Sequence, residues 1–182
     1  MTGSTRPLTV EDRLLLQELI ARYSLARDDR DIDSLLDLFA PDAEFERAGR
    51  VVRGREEIRE FFLASMRRYD LTNHVTHTQV LDPLPLAPGE PVTVAGTVTG
   101  HAELVLDGSL HVAAYRYYDV YTPSDRRWLL RRRSLNFMYA MPVGELSSGF
   151  ATTERVRWAG QEPQTADIPE TLPTWRVPAA TS

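Results

Sequence analysis

Along this chain the apolar residues change period near Asn73, and that change limits the folds open to it. Ahead of it, Leu15, Leu16, Leu19, Ile20, Tyr23 and Ala26 recur at helical spacing and form one broad apolar face. Thr9, followed three residues later by Asp12, caps the start of this first helix. Asp31 or Asp33 caps a second, short helix in which Leu35, Leu36, Leu38 and Phe39 turn inward before Pro41 stops it. Ala43 to Val52 alternates loosely, as a strand or hairpin does. Gly54 then precedes a third helix, Arg55 to Tyr69, with Ile58, Phe61, Phe62, Met66 and Tyr69 on one side.

Beyond Asn73 the pattern reads as strands at His74–Leu81, Val92–Thr99, His101–Leu106, Leu110–Tyr121 and Trp128–Tyr139. Asp107-Gly108 is a tight hairpin signal, and the proline-rich segment 82–91 is a loop. Three helices followed by a curved antiparallel sheet predict an α+β cone with the helices on the concave face, a shape that encloses a pocket. At 182 residues the chain suits one domain, residues 8–140, plus a tail, residues 141–182. The tail holds five of the 12 prolines and no sustained periodicity. It reads as a pocket lid or subunit contact, with Trp158 and Trp175 as anchors.

Two missing residue types remove whole chemistries. There is no Cys, which excludes thiol nucleophiles, disulfides and Cys-ligated metals. All 21 basic residues are Arg, so lysine Schiff-base chemistry is excluded too. Neither a P-loop nor a Gly-rich dinucleotide turn is present, and no cofactor is expected. A net charge of −5 without a basic stripe argues against nucleic acid or a membrane surface as partner. No apolar run reaches the ~20 residues of a membrane span, and the N-terminus lacks the apolar middle of a secretion signal, so a cytoplasmic location is expected.

Chemistry then falls to Asp, Glu, His, Tyr, Ser and Arg. Asp28 and Asp29 lie near the end of the first helix, where the macrodipole disfavours a carboxylate and raises its pKa. One of them acts as a base, or both point to water. At about 100° per residue Asp28 lies about 140° from Tyr23, off the apolar face. His74 stands at the start of the sheet, as an acid–base group or as a satisfied structural histidine. His77, three residues on, points to the opposite face; with His101 and His111 it forms no metal-ligand pattern, and no metal is expected. On the last strand Leu129, Arg131, Arg133, Leu135, Phe137 and Tyr139 share one face. Arg133 therefore sits in a mostly apolar row and needs an anionic partner, either Asp28, Asp119 or a substrate oxygen. The opposite row is also fairly apolar, which fits coverage by the tail or by a second subunit in a homodimer or homotrimer.

The order of the stretches YSLARDDRDIDSLLDLFAPDAEF, GREEIREFF, NHVTH and YRYYDVY, and Trp128 with Arg133 five residues later, resembles the SnoaL-like branch of the NTF2-like superfamily. That branch includes polyketide cyclases, scytalone dehydratase, hexachlorocyclohexane dehydrochlorinase and bile-acid dehydratases. The resemblance covers roughly Leu8 to Tyr139. It implies an Asp–His pair at Asp28 and His74, with Tyr23 and Arg133 as assisting groups. In the enzymes it resembles, the His removes a proton, the Asp orients the imidazole, and the Tyr or Arg helps the leaving group or developing oxyanion. Two positions depart from the pattern: His77 stands where an Asn is often found, and Arg27 where scytalone dehydratase has a Tyr.

The expected function is thus a cofactor-independent dehydratase- or cyclase-type lyase or isomerase acting on a small, largely apolar ring-containing metabolite. The alternative is a binding protein of the same shape without chemistry.

Overall fold

The computed structural model describes residues 7–85, 92–125, 127–157 and 161–175. Residues 86–91 of the expected loop and Trp158 lie outside them. Helix α1 (Val10–Asp28) starts from the expected capping box: the Asp12 amide donates to Thr9 Oγ1 and the Thr9 amide to the Asp12 carboxylate, both at 3.0 Å. Helix α2 (Ile32–Asp37) is capped by Asp31, which accepts from the Ser34 amide at 3.0 Å. Asp33 is not a cap; it pairs with Arg59 at 2.7 Å.

Helix α2 ends earlier than expected. Phe39 opens strand β1 (Phe39–Arg47), because the chain is captured by β6 (Arg127–Pro142), whose Leu130 amide donates to the Leu38 carbonyl at 2.8 Å. Pro41 lies where the β1–β6 register is irregular, between Phe39 and Glu44, so its missing N–H costs no ladder bond. Strand β2 (Arg50–Arg53) completes a hairpin through Ala48 and Gly49, with φ of 49° and 78°, the geometry of a two-residue hairpin turn. Helix α3 (Gly54–Arg68) follows directly.

Strands β3 (Leu71–Pro83), β4 (Val94–Leu106), β5 (Ser109–Ser124) and β6 complete one six-stranded sheet in the order β2-β1-β6-β5-β4-β3. The sheet is antiparallel except for the parallel β1–β6 pair, a departure from the all-antiparallel expectation. Two expected strands merge into β4, which runs through Gly100 unbroken. Helix α1 packs on β3 and α3 on β1. Between helices and sheet lie Phe39, Phe45, Phe62 and Leu130, all fully or almost fully buried, each stabilising the fold by about 1.5–3 kcal/mol.

The inward row predicted for β6 is broken twice. Tyr121 pairs with Leu130 and Val120 with Arg132, so Arg131 is an unpaired bulge residue and is exposed. A second bulge falls at Met138 and turns Tyr139 away from the row, where its ring meets Phe150 at 5.4 Å. Arg133, Leu135 and Phe137 remain on the inner face between the two bulges.

The described residues of the tail pack against β6. A 3-10 turn at Val143–Glu145, a short α4 (Leu146–Gly149) and a two-stranded ribbon of β7 (Glu154–Arg155) and β8 (Gln164–Thr165) follow the sheet. The Ala140 amide donates to the Val156 carbonyl at 2.6 Å and the Asp167 amide to the Phe137 carbonyl at 3.1 Å. Ala166 and Ile168 are buried there, whereas Trp175 is 50% exposed. Among the described residues no helix is long and apolar enough to cross a membrane.

Candidate active site

The end of α1 meets the start of β3, and the contact is made by Asp28. Its carboxylate accepts from Thr72 Oγ1 at 2.8 Å, from the His74 amide at 2.7 Å and from His74 Nδ1 at 2.5 Å. The angular offset from Tyr23 that pointed Asp28 off the apolar face is what brings it to β3, because the strand lies beside the helix end rather than under it. Arg30 secures this corner: its left-handed backbone (φ 58°) turns the chain, and its Nη2 donates to the carbonyls of Tyr69 and Asp70 at 2.7 and 2.8 Å.

Burial alone raises the Asp28 pKa, but the hydrogen bonds and charge of His74, with help from Thr72, outweigh it and leave the pKa lowered. For His74 burial lowers the pKa; the Asp28 hydrogen bond opposes this, while the Arg27 and Arg133 charges add to it. The net direction is down from 6.5, so at neutral pH an ionised Asp28 faces a neutral imidazole. A carboxylate only accepts, so the imidazole proton sits on Nδ1 and Nε2 keeps its lone pair.

The His74 ring lines a narrow pocket of about 40 Å³. Its walls include Tyr23, Phe45, Phe61, Tyr115 and Tyr117, with Arg27, Arg47, Ser65 and Tyr69 as polar members. Larger, shallower depressions of about 490 Å³ lie elsewhere, one along α1, α2 and the start of β6, and contain neither Asp28 nor His74. Gly100 makes room for one wall: a Cβ there would stand 2.9 Å from the Tyr115 ring and 2.7 Å from the Val75 carbonyl oxygen.

Tyr23 lines the pocket as expected. Arg133 is brought close but does not line it. Its Nε and Nη2 donate to the two carboxylate oxygens of Asp119 at 2.9 and 2.7 Å, and its guanidinium lies 4.0 Å from the centroids of both the Tyr23 and Tyr117 rings. Of the two protein partners expected for it, Asp119 is the one it pairs with, while Asp28 is engaged by Thr72 and His74. Asp29 is exposed at the helix C-cap, and His77, at a β3 bulge, bonds His101 at 2.7 Å on the other face. Neither lines the pocket. Among the described residues no cluster of three or more His, Asp or Glu side chains is placed to hold a metal ion.

The family model of the SnoaL-like domain matches residues 8–134. This chain belongs to the SnoaL-like domain family. No curated protein sequence compared with it matches significantly. Among solved structures, this SnoaL-like protein is similar to a Novosphingobium aromaticivorans protein provisionally named a scytalone dehydratase (15% identity, TM-score 0.63, covering 82% of this chain and 94% of that one). It is also similar to a type 2 hexachlorocyclohexane dehydrochlorinase (18%, 0.62, 72% and 88%). A third is the ActVI-ORFA protein of Streptomyces coelicolor (16%, 0.59, 69% and 96%). At these identities the likeness speaks to the shared fold of SnoaL-like proteins.

Sequence reasoning missed several pocket residues of this SnoaL-like domain. Tyr115 and Tyr117 were legible as alternate residues of β5, on the same face as Ala113. Arg27 falls one turn after Tyr23, about 40° away, so the helical wheel already placed it on the Tyr23 face. Tyr69 belongs to the apolar side already read for the third helix, whereas Arg47 follows no pattern and reaches the pocket from the β1–β2 hairpin.

Proposed function

We propose that the protein is a cofactor-independent lyase or isomerase of dehydratase or cyclase type, in which His74 and Asp28 perform acid–base chemistry on a largely apolar, ring-containing metabolite. One observation carries this reading: the hydrogen-bonded Asp28–His74 pair, whose imidazole lines an aromatic pocket and keeps a basic nitrogen. In a dehydration, His74 Nε2 takes a proton from a carbon beside a carbonyl. The C–H electron pair moves into the ring as an enolate, then forms the new double bond as the C–O bond to the leaving hydroxyl breaks. The imidazolium returns its proton to that hydroxyl, which leaves as water. Asp28 holds the ring orientation and stabilises the transient imidazolium. Tyr23 assists the developing oxyanion or leaving group, and Arg133, which touches the Tyr23 ring, positions it.

The test is turnover of cyclic β-hydroxyketones, read as the ultraviolet absorbance of the conjugated product. His74→Ala is expected to lose about 10²–10⁴-fold in kcat/KM. Asp28→Asn, which keeps an acceptor for Thr72 and the His74 amide but not the charge, is expected to lose at least tenfold with the fold intact. Near-normal turnover in either variant overturns the reading. Binding of the panel with no product from the wild-type protein favours a binding module.

A further inference from the structure

Arg27 carries a polar atom that the Asp28–His74 chemistry leaves unexplained. The residue is 7% exposed and lines the pocket beside His74. Its Nη2 donates to Ser65 Oγ at 3.3 Å and its guanidinium lies 4.8 Å from the Phe62 ring centroid. Its Nη1 is buried with no hydrogen-bond acceptor among the described residues. An arginine remains charged under any ordinary condition, and a buried guanidinium N–H without an acceptor is costly, so such a group marks a place where an acceptor is expected. The pocket offers no anionic one. Its lining contains a second arginine, Arg47, and no carboxylate, while Asp28 is already engaged by Thr72 and His74.

The geometry points to an anion-holding subsite in which Arg27 Nη1 binds the anionic oxygen, carboxylate or phenolate, of a ring-containing substrate. The aromatic walls suit the ring, and the lining carries no carboxylate to neutralise Arg27. This names the substrate class of the proposed active site. It rests on that reading only for the placement of the reacting carbon near His74; the anion subsite stands on binding alone. It also gives Arg27 an electrostatic link to catalysis. The Arg27 charge is one of the influences that depress the His74 pKa, so a bound anion offsets it and makes His74 more basic when substrate is present.

Benzoate and benzamide are probes of nearly equal shape that differ in charge, and their affinities are read from shifts of aromatic proton resonances. The wild-type protein is expected to bind benzoate about tenfold or more tightly than benzamide, the scale of a hydrogen bond to a charged group. Arg27→Met abolishes that preference while leaving benzamide binding in place, and Arg27→Lys keeps a reduced preference. His74→Ala, which removes the base but not the subsite, retains the preference, so failure of the catalytic reading does not imitate failure of this one. Equal affinities in the wild-type protein, or a preference that survives Arg27→Met, overturn the proposal. If Arg27→Met does not fold, an undiminished preference in Arg27→Lys overturns it equally.

Discussion

Asp119 with Arg133 and Asp28 with His74 are both carboxylate pairs joined by more than one hydrogen bond, the first fully buried and the second part-buried, and the proposed chemistry uses them differently. Arg133 gives Nε and Nη2 to the two oxygens of Asp119, Tyr121 adds its hydroxyl to Asp119 at 2.7 Å, and both side chains are fully buried. Arg133 is fully buried, and pairing with Asp119 nevertheless holds its guanidinium ionised. The Asp28–His74 pair retains slight exposure, 19% and 10%, and its basic member is neutral with a nitrogen to spare. The closed pair fixes where Tyr23 and Tyr117 lie; the open pair is available to move a proton. Under the proposed function, strength of pairing is a poor guide to catalytic use, and an uncommitted lone pair is a better one.

The closed pair is the more expensive to break. Asp119→Ala leaves the Arg133 guanidinium buried without its counter-ion, and chemical denaturation is expected to show a loss of about 3–5 kcal/mol. The sharper form of the test replaces both partners. Asp119→Leu combined with Arg133→Met removes the charges together and is expected to recover most of that stability, because apolar groups of similar size replace buried ion pairs well. If the double variant is as unstable as the single one, the pair supplies something beyond mutual neutralisation.

Much of this arrangement is legible in the chain because local rules govern it. The Thr9–Asp12 capping box, the Asp31 cap and the Asp107-Gly108 hairpin depend on neighbours in sequence, and each forms where expected. The family pattern led to Asp28 and His74, a pair the helical wheel alone pointed away from. What stayed hidden is set by long-range pairing. Phe39 has the character of a helix residue until β6 draws it into a strand. Arg131 obeys the same alternation as Arg133, and the bulge that ejects it depends on register with β5. Arg27 was legible in position but not in meaning, since its orphaned nitrogen exists only once Ser65 and Phe62 surround it.

Acidification distinguishes the two pairs by charge rather than by strength. The His74 pKa is depressed below its unfolded 6.5, so between that value and the folded one the unfolded chain binds a proton that the native state does not. Stability from His74 is present above about pH 6.5 and is lost as pH falls toward the folded value. Asp28, lowered from 3.8, adds a second loss in a more acidic window. The same direction governs catalysis: the acid limb of kcat/KM is expected to have an apparent pKa below 6.5. The groups that set it are Asp28, Arg27 and Arg133, with the Tyr115 ring 6.3 Å from the imidazole. An acid limb at or above 6.5 breaks the assignment of neutral His74 as the base.

The smallest effect concerns how the open pair is held, and Arg30 is the place to measure it. The closed pair is fixed by two neighbouring strands of one sheet, whereas Asp28 depends on a helix end clasped to the α3–β3 junction by the Arg30 guanidinium. Arg30→Gly has two opposed consequences for stability. Glycine adopts the left-handed backbone at φ 58° without the strain of a side chain, a gain of about 1 kcal/mol, while the loss of bonds to the Tyr69 and Asp70 carbonyls costs a similar amount. Net stability is thus expected to change by less than about 1 kcal/mol. Activity responds differently, because a looser helix end weakens the Asp28 hydrogen bond that raises the His74 pKa. The acid limb then moves further below its wild-type position and kcat falls severalfold, while benzamide binding is unchanged. Arg30→Gly with an unaltered pH profile shows that Asp28 is held by Thr72 and the His74 amide alone, and that the open pair is as self-sufficient as the closed one.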